Sequence, residues 1–223
     1  MTEVECVIFD CDGVLIDSEL ISARIIIEEL AREGVSIDLF YVQANFIGRS
    51  FTRVAGYVLE HFGIAVSDDF EAGYRQRLSE AFANELRPMP GIFAVLESLT
   101  IPSCVATSSS PGRVRNCLDL TGLAAYFGVN VFTSSQVQHG KPAPDLFLFA
   151  ASEMQAAPAK CLVIEDSETG VEAALRAGMS VWQFCGGSHF AGLTFQAPKS
   201  SGQIRVFDNW AVFPDMLAAE LNG

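Results

Sequence analysis

Asp10 and Asp12 stand two residues apart in Phe9-Asp10-Cys11-Asp12-Gly13, directly after the apolar run Val4 to Phe9. A second acidic pair, Glu165-Asp166, follows the apolar run Cys161 to Ile164. Carboxylates brought together from two such segments form a hard oxygen cage suited to Mg²⁺, and a cation there keeps crowded acids charged. Thr107-Ser108-Ser109 follows the run Ser103 to Ala106. Hydroxyls and backbone N–H groups beside a helix start suit phosphate oxygens. Gly140-Lys141-Pro142-Ala143-Pro144 adds a point positive charge, from one of only three lysines in the chain. In such a set one carboxylate can attack phosphorus, and a second can protonate the leaving alkoxide and then deprotonate water. The chemistry indicated is Mg²⁺-assisted phosphoryl transfer.

Positioning these groups requires a sheet whose strands end at one rim. The short continuous runs Val4 to Phe9, Ser103 to Ala106, Cys161 to Ile164 and Val181 to Phe184 read as strands buried on both faces. Val129 to Phe132 and Ile204 to Phe207 are weaker examples. Helices are expected at Pro111 to Leu120, Pro144 to Met154 and Glu168 to Ala177, the last ending at Gly178. The pattern predicts an α/β fold with a doubly wound, mostly parallel, Rossmann-like sheet, whose ligands bind beyond the carboxyl ends of the strands.

From about Glu19 to Leu86 the alternation stops. Helical patterns run through Leu20 to Arg32, Val54 to Phe62 and Phe70 to Phe82, and Arg87-Pro88-Met89-Pro90-Gly91 closes the stretch. An inserted α-helical cap over residues 18–87, on an α/β core of residues 1–17 and 88–223, is the expected division. Hinges are expected near Asp17–Ser18 and Arg87–Pro90, with Asp17 a cap or hinge residue rather than a catalyst. Cys185 to Gly202, rich in Gly, Ser and Pro, is expected to form a loop before a last strand, and Phe184 to His189 is expected to border the cleft.

The chain has 223 residues, 50% hydrophobic and 18% charged, enough for a sizeable core. Its net charge of −13 argues against partnership with nucleic acid or an anionic membrane. No apolar run approaches the ~20 residues that cross a bilayer. The start, MTEVECVIFD, has no basic segment and no small-residue cleavage site, so a cytoplasmic protein is expected; a monomer is expected as well. Cys6, Cys104, Cys161 and Cys185 lie in strand-like runs and read as buried small residues, and Cys11 likewise as core. Three scattered histidines do not form a zinc cluster, and Pro142 after Gly140-Lys141 removes the nucleotide P-loop reading.

The segments VIFDCDGVLIDS, VATSSS, GKPAPDLF and VIEDSETG stand in the order and approximate spacing of the four motifs of the haloacid dehalogenase-like (HAD) hydrolase superfamily. The chain resembles the β-phosphoglucomutase and sugar-phosphatase branch of that superfamily over essentially its whole length. The resemblance implies that Asp10 is the nucleophile and Asp12 the general acid/base. Thr107 would hydrogen-bond the transferring phosphoryl group, with Ser108 and Ser109 beside it, and Lys141 would neutralise it. Asp10, Asp166 and Glu165, with the backbone carbonyl of Asp12, would hold Mg²⁺. Phe46-Ile47-Gly48-Arg49-Ser50 resembles the cap specificity loop of that branch, which makes Arg49 an anchor for a second anionic group, with Arg75 and Arg77 as weaker candidates.

The implied activity is a phosphatase acting on a small phosphomonoester such as a sugar phosphate. Asp12 weighs against a dehalogenase, and the absence of lysine before Lys141 weighs against a phosphonate hydrolase. A phosphomutase is the alternative, and a non-catalytic binder of phosphorylated ligands a remote one. β-Phosphoglucomutases carry a histidine where this chain has Ser22, and a cap lysine that it lacks, which favours hydrolysis.

Overall fold

Alternate residues of Cys6–Phe9 (β1) face opposite sides of the sheet, and both sides are covered. Val7 and Phe9 belong to one buried cluster, Cys6 and Ile8 to the other, which is why the run is apolar without a break. The computed structural model describes residues 4–46, 49–191 and 204–221. After β1 come four helices, Glu19–Arg32 (α1), Leu39–Asn45 (α2), Phe51–Phe62 (α3) and Asp68–Glu85 (α4), and then Ile92–Ser98 (α5). The chain continues with Ser103–Thr107 (β2), Pro111–Thr121 (α6), Ala124–Phe127 (α7), Val131–Thr133 (β3) and Asp145–Glu153 (α8). Cys161–Glu165 (β4), Glu168–Arg176 (α9), Ser180–Phe184 (β5), Arg205–Phe207 (β6) and Phe213–Leu221 (α10) complete it.

The six described strands are all parallel, in the order β3-β2-β1-β4-β5-β6. The fold is the expected doubly wound α/β type. Winding reverses between β1 and β4, so the carboxyl ends of these two neighbours open the crevice where such sheets take ligands. Asp10 follows β1 and Asp166 follows β4, which puts both acids at that switch point.

α8 and α9 cover one face of the sheet, and the other face packs against α5, α6, α7 and α10. On the second face Trp210, fully buried, sits among Phe9, Phe184, Phe207 and Phe213. α1 packs along α4, and the buried Glu29 of α1 is paired by Arg77 of α4 and by Arg32. The two chain crossings between the sheet and α1–α4 run side by side: the Asp17 N–H donates to the Arg87 carbonyl at 3.0 Å, and Ile16 bridges Pro88.

Two short helices, α2 and α5, are absent from the sequence reading, and two details differ from it. β3 starts at Val131, not Val129, because Gly128 takes a left-handed turn (φ 55°) and Val129 is 92% exposed at its tip. Cys185 lies one residue past β5 and is half-buried, whereas the other five cysteines are buried. Residues 192–202 of the expected late loop, and Ile47 and Gly48 of the Phe46–Ser50 segment, lie outside the described residues. No helix among the described residues is long and apolar enough to cross a membrane.

Candidate active site

Lys141 is the pivot of the rim. It reaches in from the loop before α8, its side chain only 2% exposed and its ammonium 4.7 Å from the centre of the Phe147 ring. Its Nζ donates to Asp10 Oδ1 at 2.6 Å, to Glu165 Oε1 at 2.6 Å and to the Ala106 carbonyl at 2.9 Å. All three ammonium protons are thereby directed, and a cation this buried is held charged by the two acids. Burial would lower the pKa of Lys141, but Asp10 and Glu165 outweigh it and raise it. Burial likewise pushes Asp10 well above the usual carboxylate range, against the pull of Lys141.

Glu165 is fixed from both ends. Its Oε2 accepts from the Ser167 N–H at 3.0 Å and the Ser167 hydroxyl at 2.9 Å. Ser167 also caps α9, accepting from the Gly170 N–H at 3.1 Å. A β-carbon at Gly170 would stand 1.8 Å from Glu165 Oε1, so glycine in this first turn is what lets the carboxylate lie against the helix.

Asp12 is held differently. Its Oδ1 accepts from the Ser18 hydroxyl at 2.6 Å and from Arg113 Nη2 at 2.7 Å, and its Oδ2 accepts from the Ser109 hydroxyl at 2.6 Å. Burial would raise its pKa, yet Arg113 and the hydroxyls of Ser109 and Ser18 together hold it below the usual value. Two aspartates two residues apart are thus driven in opposite directions by their surroundings.

Asp166 completes the group. One carboxylate oxygen from each of Asp10, Glu165 and Asp166 lies within 4.8 Å of the others. Asp166 Oδ2 is buried without a hydrogen-bond partner; His189 Nε2 stands 3.2 Å away but out of line for a bond. A β-carbon at Gly13, whose φ is +78°, would come within 1.9 Å of that oxygen, so the backbone leaves it room. Buried carboxylates with an unpartnered oxygen make a hard-cation donor set, and the residues fit Mg²⁺.

Asp10, Asp12, Thr107, Lys141, Glu165 and Asp166 line one cavity of about 510 Å³. Thr107 is buried there, and its Oγ1 accepts from the Ser109 N–H at 3.0 Å. Ser108 and Ser109 line the same wall, and the Ser108 carbonyl accepts from the Ser134 hydroxyl at 3.2 Å. The opposite wall comes from α1–α4 and the segment between α2 and α3, with Arg49 and Arg75 on it. Arg75 is paired with Glu71 and lies over the Phe51 ring. Arg77, named with it from the sequence, turns instead to Glu29, because a buried carboxylate on α1 needs a charged partner.

Three further residues belong to the site, and the sequence reading assigns a role to none of them. Arg113 reaches Asp12 from 101 residues away, and its position in the first turn of α6 after Ser108-Ser109-Ser110 was the available signal. Glu19, on the cavity wall, is pushed up to about 8 by burial, with Asp12 and Asp166 adding to the shift. His189 borders Asp166, and its carbonyl accepts from Gln43 of α2 at 2.8 Å.

A family model described as haloacid dehalogenase-like hydrolase matches residues 4–178. The 6-phosphogluconate phosphatase of Escherichia coli (strain K12) is 30% identical over 220 residues, covering 98% of this chain and 97% of that protein. A phosphorylated carbohydrates phosphatase from Thermotoga maritima is 32% identical over 183 residues, covering 79% and 82%. Among solved structures, a HAD family hydrolase from Deinococcus radiodurans R1 with bound phosphate and sodium superposes with a TM-score of 0.75. It is 30% identical and covers 99% of this chain and 97% of that one.

Proposed function

This chain belongs to the haloacid dehalogenase-like hydrolases and is a phosphatase of that family; from that premise we propose that it hydrolyses a small phosphorylated sugar or sugar acid through an aspartyl-phosphate on Asp10. The observation that carries the reading is the meeting of Asp10, Asp12, Thr107 and Lys141, from two strand ends and the loop before α8, at one cavity.

In the first half of the reaction an Asp10 carboxylate oxygen forms a bond to phosphorus while the bond to the substrate's bridging oxygen breaks. The carboxyl of Asp12 gives that oxygen its proton, so the product leaves as an alcohol. Lys141 and the Thr107 hydroxyl face the charge on the phosphoryl oxygens. In the second half Asp12, now a carboxylate, takes a proton from water as the water oxygen bonds to phosphorus. The acyl-phosphate bond breaks back to Asp10, and inorganic phosphate leaves. Asp10, Asp166 and Glu165, with the Asp12 carbonyl, would hold Mg²⁺, which when bound supplies positive charge against the phosphate and keeps the acids ionised.

α1–α4 act in this proposal as a cap hinged at 17–18 and 87–90, closing the cavity and reading the rest of the substrate. The names of the Escherichia and Thermotoga relatives support a sugar-derived substrate. Ser22 stands where mutases carry a histidine, and its hydroxyl accepts from Arg113 at 3.3 Å.

Two measurements test the proposal. Phosphate release from p-nitrophenyl phosphate and from 6-phosphogluconate is expected to stop in EDTA and to return with excess Mg²⁺. Full activity in chelated buffer would remove the metal from the mechanism. Arg49→Ala is expected to raise KM for 6-phosphogluconate about tenfold, the worth of one charge-assisted contact, and to leave KM for p-nitrophenyl phosphate nearly unchanged. Equal effects on both substrates would take Arg49 out of substrate recognition.

A further inference from the structure

Asp12 meets three donors, Ser18 before α1 and Ser109 and Arg113 from the turn into α6, and only one of them carries a fixed charge and a fixed shape. Ser18 and Ser109 offer hydroxyls that can rotate to other acceptors. Arg113 offers a planar guanidinium that is always charged, and its side chain is 26% exposed. The guanidinium has further contacts with α1 and α4. The same Nη2 that meets Asp12 also reaches the Ser22 hydroxyl of α1 at 3.3 Å, and the group lies 5.2 Å from the centre of the Phe82 ring of α4. Arg113 therefore belongs to the core through α6 but is oriented by the two helices that roof the cavity.

We propose that Arg113 is a positioning residue for the reaction: it fixes the carboxyl plane of Asp12 so that the proton is delivered to the leaving oxygen, and it is itself set by Ser22 and Phe82. This inference rests on Asp12 being the general acid/base. A guanidinium on Oδ1 leaves Oδ2, held only by a rotatable hydroxyl, as the oxygen free to face the cavity. Without Arg113, Ser18 and Ser109 alone hold Asp12, and its carboxyl loses the one partner that cannot turn away. The loss should then be felt where proton delivery matters and be small where it does not.

The experiment uses p-nitrophenyl, phenyl and p-methoxyphenyl phosphate, which differ little in size but increasingly need a proton on the departing oxygen. kcat/KM is the quantity to compare, since it reports formation of the phosphoenzyme and not its hydrolysis. Arg113→Met is expected to lose at least about tenfold more with p-methoxyphenyl than with p-nitrophenyl phosphate, a fraction of the 10²–10⁴-fold that an acid catalyst supplies. In an Asp12→Asn background the same substitution is expected to change kcat/KM by no more than about twofold, because its effect runs through Asp12. Arg113→Lys, which keeps charge without the planar fork, is expected to fall between; it also serves if the methionine variant does not fold.

A uniform loss across the three substrates would overturn the inference and leave Arg113 a structural or phosphate-contacting residue. So would a loss of the same size in the Asp12→Asn background. If Asp12→Asn itself shows no leaving-group dependence, the acid reading fails first and takes this one with it. A steep Asp12→Asn response beside a flat Arg113 response rejects only the role of Arg113.

Discussion

Asp10→Asn is expected to reduce phosphate release by about 10⁴–10⁶-fold, the scale seen when a covalent nucleophile is removed from an otherwise intact site. The amide keeps the shape of the carboxyl but cannot form the acyl phosphate. The fold should survive, because Lys141 keeps Glu165 Oε1 as a charged partner at 2.6 Å, so no buried cation is orphaned. Removing one of four crowded acids also relieves the repulsion from Asp12, Glu165 and Asp166 that, with burial, pushes Asp10 upward. The denaturation midpoint of the variant should accordingly equal or exceed that of the parent. Turnover of p-nitrophenyl phosphate by Asp10→Asn at the parental rate would dismiss Asp10 as nucleophile. A lowered midpoint would show instead that the charge at position 10 is needed for folding.

The rim residues were legible because each follows a continuous apolar run, and a run buried on both faces ends where the strand meets solvent or ligand. Asp10, Thr107 and Asp166 needed nothing more than that. Lys141 was legible from its rarity in the chain and its place before a proline-led helix start. What stayed hidden was whatever depends on tertiary neighbours. Arg113 and Asp12 are 101 residues apart, and Ser188 and Asp17 are 171 apart; no spacing in the chain announces either pair. The sequence points to Asp17 as a cap or hinge residue. Its side chain accepts from the Ser188 N–H at 3.1 Å and hydroxyl at 2.7 Å, so it ties the loop after β5 to the start of α1.

Short elements were lost for a different reason. Ile92–Ser98 and Leu39–Asn45 have seven residues each, too few to show a helical period. The N-cap of the second was the readable part, since Asp38 accepts from the Tyr41 N–H at 2.8 Å. Val129 misled in the opposite way: an apolar residue beside a strand suggested an earlier start, while Gly128 turns the chain so that Val129 points to solvent. Arg77 shows how a charged residue can be claimed by packing before any substrate arrives, because Glu29 is buried on α1 and must be paired.

Lys141→Met is expected to damage both activity and stability, and the two losses have separate causes. The methionine fills the channel over Phe147 but offers no proton to Asp10, Glu165 or the Ala106 carbonyl. Loss of a preorganised cation facing the phosphoryl oxygens is expected to cost about 10²–10³-fold in kcat. Stability should fall by about 3–5 kcal/mol, the cost of leaving buried charge without its partner. That fall should depend on pH in a definite direction. With Lys141 gone, burial and the neighbouring acids raise the folded-state pKa of Asp10 without opposition. The native variant then binds a proton that the unfolded chain has already released, so its stability declines as pH rises from the unfolded carboxylate pKa toward the raised one. Urea denaturation in EDTA should therefore show a smaller deficit, relative to the parent, at pH 5.5 than at pH 8. A deficit that is constant with pH would mean that lost packing rather than uncompensated charge destabilises the variant, and an undiminished kcat would mean that Lys141 does not face the phosphoryl group.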